Sequence, residues 1–272
     1  MAFGLIILGD EILSGKREDK HFAQVLAILK ARGLALAWVE YLGDDPVRIE
    51  SLLRRTLAAD DIVFSCGGIG ATPDDHTRQC AAAALGVPLV LHPLAKQRIQ
   101  ERMQDIARET GKAVDLDTTD NLHRLKMGEF PEGASIIDNP YNKIPGFSIT
   151  GPGGGAHYFV PGFPVMAWPM IEAVLDTHYA HLFHQSAWFE RSVLVYEVAE
   201  STLTPLMETI EAQFPQAKVF SLPSVGDATT RRHIELGVKG EPEQAAAGFA
   251  RMLAVLDEMG AEHVPMPSET TN

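Results

Sequence analysis

The segment Asp61-Ile62-Val63-Phe64-Ser65-Cys66-Gly67-Gly68-Ile69-Gly70-Ala71-Thr72-Pro73-Asp74-Asp75-His76-Thr77 constrains this chain most. An apolar strand runs into a glycine turn and then into two adjacent carboxylates. Glycines at 67, 68 and 70 let the backbone take positive φ and bring N–H groups close to a bound oxyanion, which a Cβ would hinder. A helical pattern resumes at Thr77 and runs through Leu85 to Gly86. The turn therefore feeds a helix whose early N–H groups and dipole favour negative charge. Either Asp74 or Asp75 could cap that helix. A cap needs one carboxylate, so the second is free for other work, such as holding a cation.

The rest of the first half alternates buried strands with helices. Gly4–Leu8 reads as a strand, His21–Arg32 as a helix ended by Gly33, Ala35–Tyr41 as a strand and Pro46–Ala58 as a helix. Asp61–Ser65, Thr77–Leu85 and Pro93–Arg108 continue as strand, helix and helix. Strands separated by helical segments of about 10–15 residues imply parallel pairing with right-handed crossovers. The expected fold class is α/β, a three-layer sandwich with a mostly parallel sheet. After the turn Pro131–Gly133 come a short strand, Ser135–Asp138, and a hairpin, Gly146–Thr150 with His157–Val160, around Gly151–Gly155. That glycine run lacks a following helix and a Lys-Ser/Thr pair, so it reads as a hairpin loop, not a phosphate loop. Pro161-Gly162-Phe163-Pro164 then leads into a helix expected over Val165–Leu182.

From about Ala187 a second unit follows: strand Ser192–Val198, helix Thr202–Gln213, strands Ala217–Leu222 and Arg231–Val238, helix Pro242–Met259 and a last strand near Glu262–Val264. This order predicts a small ferredoxin-like α+β domain. The expected domains are residues 1–180 and 187–267, before the polar tail Ser268–Asn272.

The chain has 272 residues, 46% hydrophobic and 22% charged. No apolar run approaches the roughly 20 residues that span a bilayer, so no membrane association is expected. Met1–Asp10 lacks a basic n-region, which argues against a secretory leader and for a cytoplasmic address. A formal charge of −13 argues against a nonspecific nucleic-acid surface, which needs a basic stripe. It also implies that a phosphorylated ligand beside these aspartates needs a cation between the two sets of oxygens. Cys66 and Cys80 form no CxxC pair and read as small buried side chains.

In a parallel α/β sheet, ligands bind beyond the C-terminal ends of the strands. Collecting the residues there gives Asp10-Glu11-Ile12-Leu13-Ser14-Gly15, Gly43-Asp44-Asp45-Pro46 and the 67–77 turn. Three acidic clusters converge, and hard oxygen ligands without zinc-like His or Cys spacing select Mg²⁺ or Mn²⁺. Asp44 before Pro46 also reads as a helix start. His178, His181 and His184 recur every three residues, at a helix end where histidines suit the dipole and solvent better than a metal. Gly237-Val238-Lys239-Gly240 matches the GxxG of RNA-binding KH domains but joins a strand to a helix here. Lys143 and Arg124 are basic candidates for phosphate contact, and loops 112–126 and 139–145 are candidate pocket walls.

With Gly9-Asp10-Glu11-Ile12-Leu13-Ser14-Gly15, the Gly67–Thr77 turn and Pro161-Gly162-Phe163-Pro164 in this order, residues 3–175 resemble the molybdopterin-binding domain of the MoaB/MogA type, nearest to the competence/damage-inducible CinA proteins. Ala71 stands where many relatives have proline. The resemblance implies metal-dependent hydrolysis of ADP-ribose or a related nucleotide diphosphate. It assigns catalysis to Asp44 and Asp75, with Glu11, Asp74 and Asp10 as metal candidates. Substrate binding falls to Ser14, Gly15, Gly67, Gly68, Gly70, Ala71, Thr72, Thr77, Asn139 and Gly162. The implied cofactor is Mg²⁺, Mn²⁺ or Co²⁺, with K⁺ as a candidate monovalent ion; the implied ligand is a phosphorylated nucleotide or pterin. Two alternatives stand beside this: a molybdopterin-binding or adenylyltransferase-like protein, and a non-catalytic nucleotide-binding regulatory module. Relatives form dimers or trimers, so a homo-oligomer is expected. The deamidase domain of full-length CinA has no counterpart in these residues, so nicotinamide mononucleotide deamidation is not implied.

Overall fold

A computed structural model describes residues 1–111, 118–185, 189–227 and 229–266. The chain divides into two compact units, Met1–Phe183 and His184–Asn272. The sequence-based start of the second domain, Ala187, and the tail 268–272 lie outside the described residues, as do positions 112–117 of one candidate pocket wall.

In the first unit the elements run β1 (Phe3–Leu8), α1 (Asp10–Leu13), α2 (His21–Lys30), β2 (Leu36–Leu42), α3 (Pro46–Leu57), β3 (Ile62–Cys66), α4 (Thr77–Leu85), β4 (Leu89–Leu91), α5 (Pro93–Thr110), α6 (Thr119–Leu125), β5 (Glu129–Pro131), β6 (Ser135–Ile137), β7 (Gly146–Thr150), β8 (Ala156–Val160) and α7 (Pro164–His178). The main sheet has the order β2-β1-β3-β8-β7-β6. Strands β2, β1, β3 and β8 are parallel, whereas β8, β7 and β6 pair antiparallel. Every residue of β1 and β3 is buried, as befits parallel strands covered on both faces. On one face Leu5, Ile7 and Phe64 pack with Val25 and Leu29 of α2 and Met170 and Ile171 of α7. On the other, Ile6, Val63 and Phe159 pack with Ile49 and Leu53 of α3 and Cys80 and Ala81 of α4. This is the expected three-layer arrangement. β1 lies between β2, which follows it in the chain, and β3, which comes later. The strand order thus reverses across β1, and an α/β sheet opens a crevice at such a point, beyond the carboxyl ends of the strands.

The second unit comprises β9 (Phe189–Tyr196), α8 (Glu200–Gln213), β10 (Ala217–Ser224), β11 (His233–Gly240), α9 (Pro242–Glu258) and β12 (His263–Pro265). Its sheet, β10-β11-β9-β12, is antiparallel throughout. That is the split βαβ order of a ferredoxin-like unit, and Val195, Leu236, Leu203, Ile210 and Met252 share its core.

Two expectations change. The helix expected over Val165–Leu182 stops at His178, and Ala180–Leu182 is a separate 3₁₀ turn. Tyr179 leaves helical geometry at φ −125, and its hydroxyl meets that of Tyr158 at 2.9 Å. His178, His181 and His184 consequently share no helix face. The GxxG at Gly237–Gly240 lies inside β11, paired on both sides. A Cβ at Gly237 would meet the Phe220 ring at 2.2 Å, so this glycine is a packing requirement and not a nucleic-acid loop.

Candidate functional site

The parallel strands β1, β2, β3 and β8 end at Leu8, Leu42, Cys66 and Val160, and the segments that follow meet at one edge of the sheet. Gly67 donates its N–H to the Val160 carbonyl at 3.0 Å, and Gly9 donates to Leu42 at 3.0 Å. Gly67 has φ 112, and a Cβ there would fall 2.6 Å from the Leu8 carbonyl oxygen. Gly162 lies against the Cα of Gly67 at 3.4 Å from its own ideal Cβ position. These close backbone approaches bring three connections together.

Asp10 and Asp44 are interlocked at this edge. The Asp10 N–H donates to Asp44 Oδ2 at 2.9 Å, and the Asp44 N–H donates to Asp10 Oδ1 at 3.1 Å. Gly43 permits the contact, because a Cβ there would meet Asp10 Oδ1 at 2.1 Å. Asp44 is half-buried. Its carboxyl is pushed above the usual carboxylate range, first by burial and then by Asp10, Glu11 and Asp74; the bond from the Asp10 N–H opposes this in part. Three of the sequence's acidic candidates therefore act electrostatically on a fourth. Asp45, not Asp44, caps α3, accepting from the N–H groups of Val47 and Arg48 at 2.9 and 3.3 Å. Ser14 and Gly15 are exposed at the end of α1.

In the glycine turn Asp75 Oδ2 accepts from the Thr72 N–H at 2.8 Å and from the Thr72 hydroxyl. Gly70 makes room for it, since a Cβ would lie 2.5 Å from that oxygen. Asp74 is exposed, and the Thr72 side chain leads the effects that hold its carboxyl below the usual range. Neither aspartate caps α4, whose N-cap position is His76 and carries no side-chain cap bond. The turn is fastened to the helix instead. Thr77 gives its N–H to the Gly68 carbonyl at 3.0 Å and its hydroxyl to the Gly67 carbonyl at 3.1 Å.

Several candidates take different places from those expected. Thr77 is fully buried and shapes the turn from behind, so direct contact with a ligand is corrected to support of the loop. Asn139 is 3% exposed. Its amide is spent on Asn142 Oδ1, the Ile144 carbonyl and the Tyr141 N–H at 2.9, 3.0 and 3.0 Å, which fixes loop 139–144. Lys143 pairs with Asp105 at 2.6 Å, and Arg124 donates to Asn121 at 3.0 Å. Among the described residues no group of three or more His, Cys, Asp or Glu side chains is arranged to hold a metal ion. Asp10 and Asp44 each commit one carboxylate oxygen to the other's backbone N–H.

Two residues escaped the sequence reading. His21 is 5% exposed, and its Nε2 meets the Gly162 carbonyl at 2.9 Å, steadying the segment that touches Gly67. Arg78 is 3% exposed and donates from Nη2 to the Gly70 carbonyl at 2.5 Å and from Nη1 to the Lys126 carbonyl. Both signals were present: His21 shares the buried helix face of Val25 and Ile28, and Arg78 shares that of Ala81 and Ala82. A charged or titratable residue on an apolar face needs a polar partner. Cys66 and Cys80 are buried free thiols; burial pushes the Cys66 thiol up and that of Cys80 up to about 11.

No helix among the described residues is long and apolar enough to cross a membrane. The chain is 34% identical over 161 residues to a CinA-like protein of Anaeromyxobacter sp. (strain Fw109-5), covering 59% of this chain and 37% of that protein. It is 26% identical over 257 residues to a CinA-like protein of Mycobacterium tuberculosis (strain ATCC 25177 / H37Ra), covering 92% and 58%. The chain thus spans between about a third and three-fifths of the length of these relatives. The crystal structure of the protein CinA from Thermoplasma acidophilum, described as of unknown function, superimposes with a TM-score of 0.52 at 26% identity, covering 64% of this chain and 96% of that one. Residues 4–181 match the family described as "Probable molybdopterin binding domain". With that match over the unit that carries the glycine turn and the Asp10–Asp44 pair, the chain belongs to the molybdopterin-binding domain family, where its relatives are CinA-like proteins.

Proposed function

We propose that the first unit binds a phosphorylated small molecule at the carboxyl edge of β1, β2 and β3 and hydrolyses the diphosphate bond of ADP-ribose or a related nucleotide diphosphate. The observation that carries this reading is the Asp10–Asp44 pair, with Asp44 raised above the usual carboxylate range, beside a glycine turn. A carboxylate raised in this way is better poised as a general base. Asp44 would take a proton from the attacking water as its oxygen bonds to phosphorus; the bond from phosphorus to the bridging oxygen breaks, giving AMP and ribose 5-phosphate. Backbone N–H groups of Gly68, Gly70 and Ala71 would hold phosphate oxygens, and Asp75 would keep the turn in shape through Thr72. Ser14, Gly15 and Gly162 would border the ligand.

The acidic donors fit a hard cation that arrives with the ligand. Mg²⁺ keeps several waters and binds through one or two carboxylates plus substrate phosphates. Asp10 Oδ2 and Asp44 Oδ1 carry no hydrogen bond among the described residues. Mg²⁺, Mn²⁺ or Co²⁺ held at Asp10 Oδ2, with Glu11 and Asp74 as further acidic donors, would neutralise the diphosphate and leave Asp44 Oδ1 for the attacking water. A cytoplasmic homo-oligomer, dimer or trimer, completes the proposal; light scattering tests the assembly.

The family match favours a second reading, a molybdopterin binder or adenylyltransferase-like protein using the same turn. Incubation with ADP-ribose and each divalent ion, with and without K⁺, followed by chromatography of AMP, separates the two. AMP that disappears with chelator and with Asp44→Asn supports hydrolysis. Absence of AMP under every ion, with pterin bound or adenylylated, would support the second reading.

A further inference from the structure

The glycine turn presents its N–H groups in one direction because the first two residues of α4 hold its carbonyls in the other. Thr77 holds the carbonyls of Gly67 and Gly68, and Arg78 Nη2 holds that of Gly70. In a planar trans peptide the C=O and the following N–H point opposite ways. Fastening these three carbonyls to α4 therefore turns the N–H groups of Gly68, Ile69 and Ala71 away from the helix. None of the three donates to an acceptor among the described residues. Successive free N–H groups in a turn with positive φ at Gly67 and Gly68 form a concavity that favours anions.

Arg78 is the unusual member. Its guanidinium is buried, forms no ion pair among the described residues, bonds only to two backbone carbonyls and leaves Nε unpartnered. A buried charge without a carboxylate partner is costly; here burial pushes the guanidinium below its usual range while Asp75 and Glu129 oppose that shift. A positive charge behind the turn offsets this cost when an anion sits in front, because Coulomb attraction is weakly screened away from water. It also answers how a site bordered by Asp10, Asp44 and Asp74 can take a phosphate.

We propose that Arg78 is the positioning residue of the anion site: it locks the Gly70 carbonyl rearward so that the Ala71 N–H faces the ligand, and it supplies the positive charge behind the turn. The ligand class is a phosphate ester, including a diphosphate esterified at both ends. The inference rests on the proposed use of this turn to hold phosphate.

The test begins with the unaltered chain. Inorganic pyrophosphate is titrated in while the backbone amides and the Arg78 Nε–H are followed by NMR. Shifts concentrated at residues 68–71 support the phosphate reading of the turn, and shifts confined elsewhere overturn that reading together with the role of Arg78. With the turn amides responding, a moving Arg78 Nε–H supports the coupling and a stationary one overturns it. Pyrophosphate affinity is then compared for Arg78→Lys and Arg78→Gln. Losing a charge-assisted bond and the charge behind the turn should weaken binding about 10- to 100-fold in Arg78→Gln, with partial recovery in Arg78→Lys. Unchanged affinity in a folded Arg78→Gln variant would overturn the proposal even if the turn amides still respond. If neither variant folds, the Arg78 Nε–H response of the unaltered chain decides.

Discussion

Asp10 and Asp44, which follow adjacent strands, each place one carboxylate oxygen on the other's backbone N–H, at 3.1 and 2.9 Å. Two like charges are thereby kept together by neutral donors, and the more buried of them, Asp44, carries the strain as a raised pKa.

Asp44→Asn should separate activity from stability. The amide oxygen still accepts from the Asp10 N–H while the charge is gone. A carboxyl raised in the folded state binds its proton more readily there, so stability falls as pH rises just above the ordinary carboxylate range. The neutral variant escapes that loss, and its melting temperature at pH 7 should match or exceed that of the unaltered protein. AMP release should fall by about 100-fold or more, the scale expected for loss of a general base. A lower melting temperature with retained turnover would contradict both points.

Turnover should decline on the acid side at a pH above that of an ordinary aspartate, because Asp44 must be ionised to accept a proton. A pH profile of kcat/KM for ADP-ribose checks this. An acid limb at the usual carboxylate position would assign the base elsewhere.

His157 gives a separate pH signature. It is fully buried, its Nε2 meets the Thr56 hydroxyl at 2.9 Å, and burial pushes its pKa from 6.5 down to about 4, against the pull of Asp61. The folded state resists protonation, so its stability is fully present above the unfolded value and is lost as pH falls towards 4. The loss should reach about 3 kcal/mol across that window. Urea titrations between these pH values should show the slope, and His157→Leu should flatten it.

Gly67→Ala should destabilise the first unit by roughly 1–3 kcal/mol, because it forces an L residue into a rare backbone region and against a carbonyl. Gly15→Ala is the control: Gly15 has φ 70 with no atom within 4 Å of the ideal Cβ. Its cost should stay near ~1 kcal/mol. Equal losses in the two variants, measured by urea denaturation, would mean that the approach of Gly67 to Leu8 contributes nothing.

The layered fold was legible in the order of residues because its signals are local. Largely apolar segments such as Phe3–Leu8 and Ile62–Cys66 specify doubly covered strands. Helix ends such as Gly86, with φ 70, and the Asp45-Pro46 start of α3 carry their own backbone chemistry. The glycine turn and the acidic residues after each strand were legible for the same reason: the sheet edge gathers whatever follows parallel strands. What local pattern could not supply was the partner of each polar group. Only the tertiary structure decided that Asp10 and Asp44 bond to each other, that Asp75 serves Thr72, that Asn139 holds its own loop and that Arg78 and His21 brace the turn from within. Those outcomes depend on contacts between residues up to 141 positions apart, as in His21 and Gly162, which no local pattern specifies.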